Sequence, residues 1–182
     1  MTGKNENRRV RMTKRMIKDA LLELLETREL SGITVTAVCE TADIHRSTFY
    51  NYYSSPAALF SSIEEDFLAQ IPNPNDLDTK NLQMLINASA GFFDFVKENE
   101  KAFRILFSKS PGDGFTARMV DHLCSGYIPV DRDPDDPSTD VIRLYIANGT
   151  VGALREWIKA GFPVSSRKIA EMMYDLSIKV LS

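Results

Sequence analysis

Apolar positions recur along this chain at intervals of three and four, the spacing that lines one side of an α-helix. In MTKRMIKDALLELLETREL, residues 12–30, Met16, Ile17, Ala20, Leu21, Leu24 and Leu25 form such a stripe. Arg15, Lys18, Asp19, Glu23 and Glu26 mark the wet side, and Ser31-Gly32 ends the helix. Thr36 is expected to cap a short second helix over residues 37–42, its hydroxyl accepting from the free N–H groups of the first turn. After a break at Asp43-Ile44, a third helix is predicted over roughly residues 46–53. Ser55-Pro56 supplies an N-cap and a first helical residue for a fourth helix near 56–70, with Leu59, Ile63 and Phe67 on one side.

Beyond IPNPN at 71–75, which a helix does not cross, amphipathic stretches predict helices near 79–98, 100–109 and 114–127. PVDRDPDDPS at 129–138 reads as an acidic, proline-rich loop. Helices near 139–161 and 166–181 follow, parted by Gly161-Phe162-Pro163. Strand alternation and internal repeats are lacking. The expectation is an all-α chain, with a short N-terminal module over residues 1–55 and a larger helical bundle over residues 56–182.

The net charge of −3 argues against a nucleic-acid partner until its distribution is considered. Residues 1–60 hold nine Lys/Arg against seven Asp/Glu, and the remainder of the chain carries the acidic excess. Within the first 18 residues, Lys4, Arg8, Arg9, Arg11, Lys14, Arg15 and Lys18 stand against Glu6 alone. Such a basic arm is an electrostatic footprint for phosphate, and equally the composition of a solvated tail.

Other chemistry is thinly represented. No apolar run approaches the roughly 18 residues of a membrane span. The N-terminus lacks the apolar core of a secretory signal, and the two cysteines, Cys39 and Cys124, lack ligand spacing. A cytoplasmic protein without cofactor, metal or membrane association is expected. His122 and Cys124 are two apart and face different sides of one helix, so packing explains them better than a metal or thiol site. Cys39 is likewise expected to pack. The acids Glu64, Glu65 and Asp66, and Asp133, Asp135 and Asp136, read as solvated surface. Without helical ligand spacing or a glycine-rich phosphate loop, no catalytic residue is assigned and no enzyme is expected.

The informative stretch is ITVTAVCETADIHRSTFYNYYSSPAALF, residues 33–60. Two short helices joined by a tight turn behind a longer first helix make the outline of a helix-turn-helix. Asp43 suits a left-handed turn position better than most residues, though less well than glycine. Phe49 and Tyr53, four apart, are expected to face inward with Val38 and Ala42. Arg46, Ser47, Tyr50 and Asn51 are left on the outer face, with Thr48 at its margin. Arginine pairs bidentately with guanine, asparagine with adenine, and hydroxyls donate to phosphate.

At Ile33-Thr34-Val35, Val38, Ala42, Ile44, Ser47-Thr48-Phe49-Tyr50, Tyr52-Tyr53, Ser55 and Leu59 the chain resembles the TetR family of bacterial regulators. The RSTFY string is similar to a branch common in Gram-positive bacteria. A looser likeness covers YIANGTVGALREWIKAG at 145–161, similar to the penultimate helix of such proteins.

The resemblance implies a regulator with an N-terminal three-helix DNA-binding domain and a C-terminal bundle for effector binding and dimerisation. It implies phosphate contacts from Thr36, Thr48 and Tyr50, and base-edge or backbone contacts from Arg46, Ser47 and Asn51. His45, at the position of the family's usual serine cap, joins this DNA-binding set. Asp43 stands where a turn glycine is usual and Pro56 where a phosphate-binding lysine is usual; the basic arm is a candidate replacement.

The implied partners are double-stranded operator DNA and a second copy of the chain, met through the helices near 139–161 and 166–181. In that interface Ala147, Gly149, Gly152 and Ala153 would permit close approach beside Leu154 and Trp157, facing Ile169, Met172, Met173, Leu176 and Val180. Large side chains from Met84 and Phe92 through Phe103, Phe115 and Met119 to Tyr127 and Tyr145 are candidates for an effector pocket, most of them ordinary core. The expected function is repression of transcription under an unidentified small-molecule effector. The alternative is a co-regulator whose C-terminal domain docks a protein.

Overall fold

In a computed structural model, residues 2–73, 81–126 and 136–181 are described. Helix α1 spans Thr2–Leu25, and a 3₁₀ turn at Leu30–Gly32 leads to α2 (Val35–Thr41) and α3 (Arg46–Tyr50). Helix α4 (Pro56–Leu68) follows, then α5 (Leu82–Glu98), α6 (Glu100–Lys109), α7 (Gly114–Gly126), α8 (Pro137–Lys159) and α9 (Ser166–Leu181). There is no strand among the described residues, so the all-α expectation is met. None of the described helices is long and apolar enough to cross a membrane. Asn75, Tyr127, Asp133 and Asp135 lie outside the described residues, as does the side chain of Val180.

Along the sequence the chain divides into two units, Met1–Asp66 and Phe67–Ser182, the division falling at a residue position within α4. In the first, Ile17, Ala20, Leu21 and Leu25 of α1 are buried as their spacing predicts, while Met16 is exposed. Helix α4 opens as its sequence dictates, with Ser55 Oγ accepting from the Ala58 N–H at 3.1 Å ahead of Pro56. Leu59, Phe60 and Ile63 are buried on its inner side. Glu64 corrects the expectation of a solvated acid, being only 5% exposed. One turn separates Ile63 and Glu64 from Leu59 and Phe60, so the inward side of α4 sweeps over Glu64.

The second unit is organised around Phe103, which is 0% exposed. The rings of Phe67, Phe92, Phe95, Phe107 and Phe115 lie 5.1–6.3 Å from it, mostly edge-on or tilted, as the aromatic quadrupole favours. Helix α5 packs along α9, and α7 along α8. Asn99 alone separates α5 from α6: its backbone N–H and side-chain amide both bond to the Phe95 carbonyl, at 3.1 and 2.8 Å. Asp136 caps α8 by accepting from the Ser138 N–H at 2.9 Å.

Helix α8 ends in a Schellman motif. The N–H of Phe162 returns to the Trp157 carbonyl at 2.9 Å and that of Gly161 to the Ile158 carbonyl at 3.1 Å, with φ of 72° at Gly161. The hydrophobic contact that accompanies such ends is present, since the Phe162 and Trp157 rings are 4.7 Å apart. The Trp157 indole donates to the Val164 carbonyl at 3.0 Å and so fixes the link into α9. Met84 and Tyr145, candidates for the interior by composition, are exposed, Tyr145 to 67%.

Phe103→Ala removes the ring on which five others lean. It is expected to cost about 3–5 kcal/mol of stability, measured by urea unfolding of the purified chain.

Candidate nucleic-acid interface

The first unit presents α3 by controlling both ends of α2. Thr34, with extended backbone, accepts from the Ala37 N–H through its hydroxyl at 3.2 Å and is the N-cap. The expected cap, Thr36, instead sits exposed in the first turn of α2. The stripe Val35, Val38, Cys39 and Ala42 carries the signal that the helix starts at Val35.

At the other end, the Asp43 N–H bonds to the Glu40 carbonyl at 3.3 Å and the Ile44 N–H to the Cys39 carbonyl at 3.0 Å. This is again a Schellman end, and it places Asp43 at φ 51°. Ile44 is half-buried, so the chain turns and re-enters as α3.

His45 precedes α3 with extended backbone and makes no side-chain cap bond. Its carbonyl accepts from the N–H groups of Thr48 and Phe49, at 2.9 and 3.3 Å. Regular helix ends at Tyr50 rather than at the expected residue 53, with Asn51 as C-cap. Tyr52 and Tyr53 still return hydrogen bonds to the Phe49 carbonyl, each at 3.0 Å.

The two faces of α3 divide as the spacing predicts. Val38, Ala42, Phe49 and Tyr53 are buried, Phe49 completely. His45, Arg46, Ser47, Tyr50 and Asn51 are exposed, and Thr48 is half-buried at the margin. Thr36, on the preceding helix, is exposed as well. Tyr50 meets the Phe49 ring edge-on at 5.7 Å, which braces an otherwise exposed side chain.

Beneath this face, burial pushes the Cys39 thiol above its ordinary pKa, and the charge of Arg46 partly offsets that. Cys39 is therefore a protonated packing residue at neutral pH. Cys124 on α7 is shifted the same way, chiefly by burial. Among the described residues, no group of three His, Cys, Asp or Glu is placed to hold a metal ion.

Two contacts in this unit escape sequence reasoning because they join distant segments. Lys18 on α1 bonds to the carboxylate of Asp66 on α4. Lys14 on α1 sits with its ammonium 5.6 Å from the centre of the Tyr52 ring, just past α3.

A helix-turn-helix with a polar, hydroxyl- and arginine-bearing second helix, carried ahead of an α-helical bundle, defines a transcription regulator of the helix-turn-helix class. Residues 84–179 match the TetR family model described as the transcriptional regulator C-terminal region. The chain belongs to the TetR family of transcriptional regulators.

It is 34% identical over 64 residues, 35% of its length, to the dhaKLM operon transcriptional activator DhaS of Lactococcus lactis. It is 30% identical over 106 residues, 58% of its length, to the HTH-type regulator YxbF of Bacillus subtilis. These matches span 34% and 25% of the two relatives' own lengths. A TetR regulator structure from Streptococcus agalactiae aligns with a TM-score of 0.68 at 21% identity, covering 100% of this chain and 99% of that one. That likeness is one of fold.

The left-handed backbone at Asp43 yields a test. Asp43→Val is expected to destabilise the chain by about 1–2 kcal/mol in thermal or urea unfolding, because a β-branched residue resists that conformation. Asp43→Gly is expected to be tolerated; equal losses from both would show that the side chain, not the backbone, matters there.

Proposed function

We propose that the chain binds operator DNA as a homodimer, with Arg46, Ser47, Tyr50 and Asn51 of α3 entering the major groove. His45, Thr48 and Thr36 flank them against the backbone. The observation that carries this reading is the division of α3: one face is locked into the core by Phe49 and Tyr53, and the other is exposed and rich in groups that pair with bases and phosphates. A two-fold dimer spaces its recognition helices roughly 34–36 Å apart, one turn of DNA, and so demands a pseudo-palindromic site.

The dimer surface proposed is the exposed side of α8 and α9. Ala147, Leu154, Trp157 and Ile169, assigned to that interface by sequence, are buried within their own unit instead. Helix periodicity leaves another α8 side outward: Val141, 68% exposed, with Leu144, Tyr145, Gly149 and Gly152, and α9 likewise leaves Met172 and Leu176 exposed. Exposed apolar side chains beside glycines suit close helix approach and burial against a second copy.

Control is assigned to an effector bound in the second unit, which acts by favouring one setting of the dimer over another. Repression, by occupying the operator, is the primary reading, carried out in the cytoplasm and without catalysis. The name of the Lactococcus lactis relative, an operon activator, supports a second reading. An activator must recruit, whereas a repressor need only occlude, so activation favours a C-terminal unit that docks a protein partner.

Selection from a random double-stranded DNA pool is expected to enrich an inverted repeat with half-sites one helical turn apart. Arg46→Ala is expected to cost about 1–3 kcal/mol of discrimination at one position of each half-site. Sequence-blind binding by the native chain would overturn the operator reading.

Tyr145→Glu is expected to shift the protein toward monomer in sedimentation equilibrium and to weaken operator binding with it, its thermal melt being little changed. A variant that stays dimeric would remove α8 from the interface.

A further inference from the structure

We propose that α1 carries a second DNA-backbone contact, a basic stripe of Arg8, Arg11, Lys14 and Arg15, held in register with α3 by the seat of Lys14 on the Tyr52 ring. It rests on the operator reading above and adds to it a surface outside the helix-turn-helix.

At about 100° per residue, these four side chains fall within an arc of about 120° on α1. All four are exposed. No acid interrupts the run between residues 8 and 18. Lys18 lies in the same arc but is half-buried and held by Asp66, so its charge is already met. Arg15 meets Asp19 at 3.6 Å, but both side chains are well exposed, and such a pair yields readily to a stronger anion. Arg9 projects from a different side.

Charge alone does not make a site of these residues; their position does. Tyr52 follows Asn51 directly, at the end of the segment whose outer face is proposed to read bases. Its half-buried ring takes the Lys14 ammonium at 5.6 Å. One end of the stripe is thereby fixed beside α3, and the rest extends away from it along α1. From Arg8 to Arg15 the helix rises about 10 Å, the axial length over which one DNA strand presents about three phosphates. The chemistry is that of a polyanion with evenly spaced charges. The stripe would neutralise phosphates flanking the bases under α3, adding affinity without adding sequence preference.

The test compares the native chain with an Arg8→Gln, Arg11→Gln, Arg15→Gln variant, all of whose exchanges lie on exposed α1 positions. Affinity is measured against salt concentration, on the selected inverted repeat and on a scrambled duplex of equal length. Each lost phosphate contact is expected to flatten the slope of log affinity against log salt by about 0.9 per subunit, and both duplexes are expected to weaken by a similar factor. An unchanged slope in a folded variant overturns the stripe.

Tyr52→Leu is expected to lower the slope by a further contact per subunit, and Tyr52→Phe, which keeps the ring, to retain it. A retained slope in the leucine variant overturns the role of the ring. Failure of the native chain to prefer the inverted repeat would defeat the operator reading instead, whatever the slopes.

Discussion

A five-residue helix makes too few internal hydrogen bonds to persist alone, so α3 exists because Phe49 is drawn into the core of the first unit. Fully burying a phenylalanine contributes about 1.5–3 kcal/mol, more than one helical turn supplies by itself. Tyr53, one turn further, repeats the anchor, and the Schellman end of α2 at Asp43 sets the angle at which α3 enters. Everything on the outer face of α3 inherits its position from these inward contacts. Arg46, Ser47, Tyr50 and Asn51 are presented on a rigid support without needing partners of their own.

That support is built from exceptions to the usual helix rules. Asp43 takes a backbone conformation that glycine adopts more readily, and His45 opens α3 without a capping side chain. Both raise the energy of the turn, and burial of Phe49, Tyr53 and Ala42 outweighs them. The first unit is thus held by packing rather than by local propensity, as a short helical module requires.

The second unit is built differently. Its core is a set of phenylalanine rings around Phe103, and its longer helices are fixed at their ends by specific hydrogen bonds: Asn99 between α5 and α6, Asp136 ahead of α8, and Trp157 to Val164 after it. Arg104 extends this pattern, bonding the Ile158 carbonyl near the end of α8 while pairing with Glu100 on its own helix. Val141, Leu144 and Tyr145 of α8 and Met172, Leu176 and Ile178 of α9 take no part in that core and stay exposed. They make up the surface proposed above to meet a second copy of the chain.

By itself the sequence determined the helical character of the chain and the division of α3 into two faces, though not the exact ends of α1, α2 and α3. Both depend on spacings of three and four residues, which are local properties of the chain. It also marked the turn at Asp43 and the cap at Ser55, whose hydrogen bonds close within five residues. Only the tertiary structure decided which apolar residues of α8 are core and which are surface. Ala147, Leu154 and Trp157 went inward while Val141, Leu144 and Tyr145 stayed out, because α8 carries apolar residues on more than one side. Tertiary structure alone likewise buried Glu64, paired Lys18 with Asp66 and brought Lys14 to Tyr52. Those outcomes rest on residues far apart in the chain meeting in space, which helical periodicity does not encode.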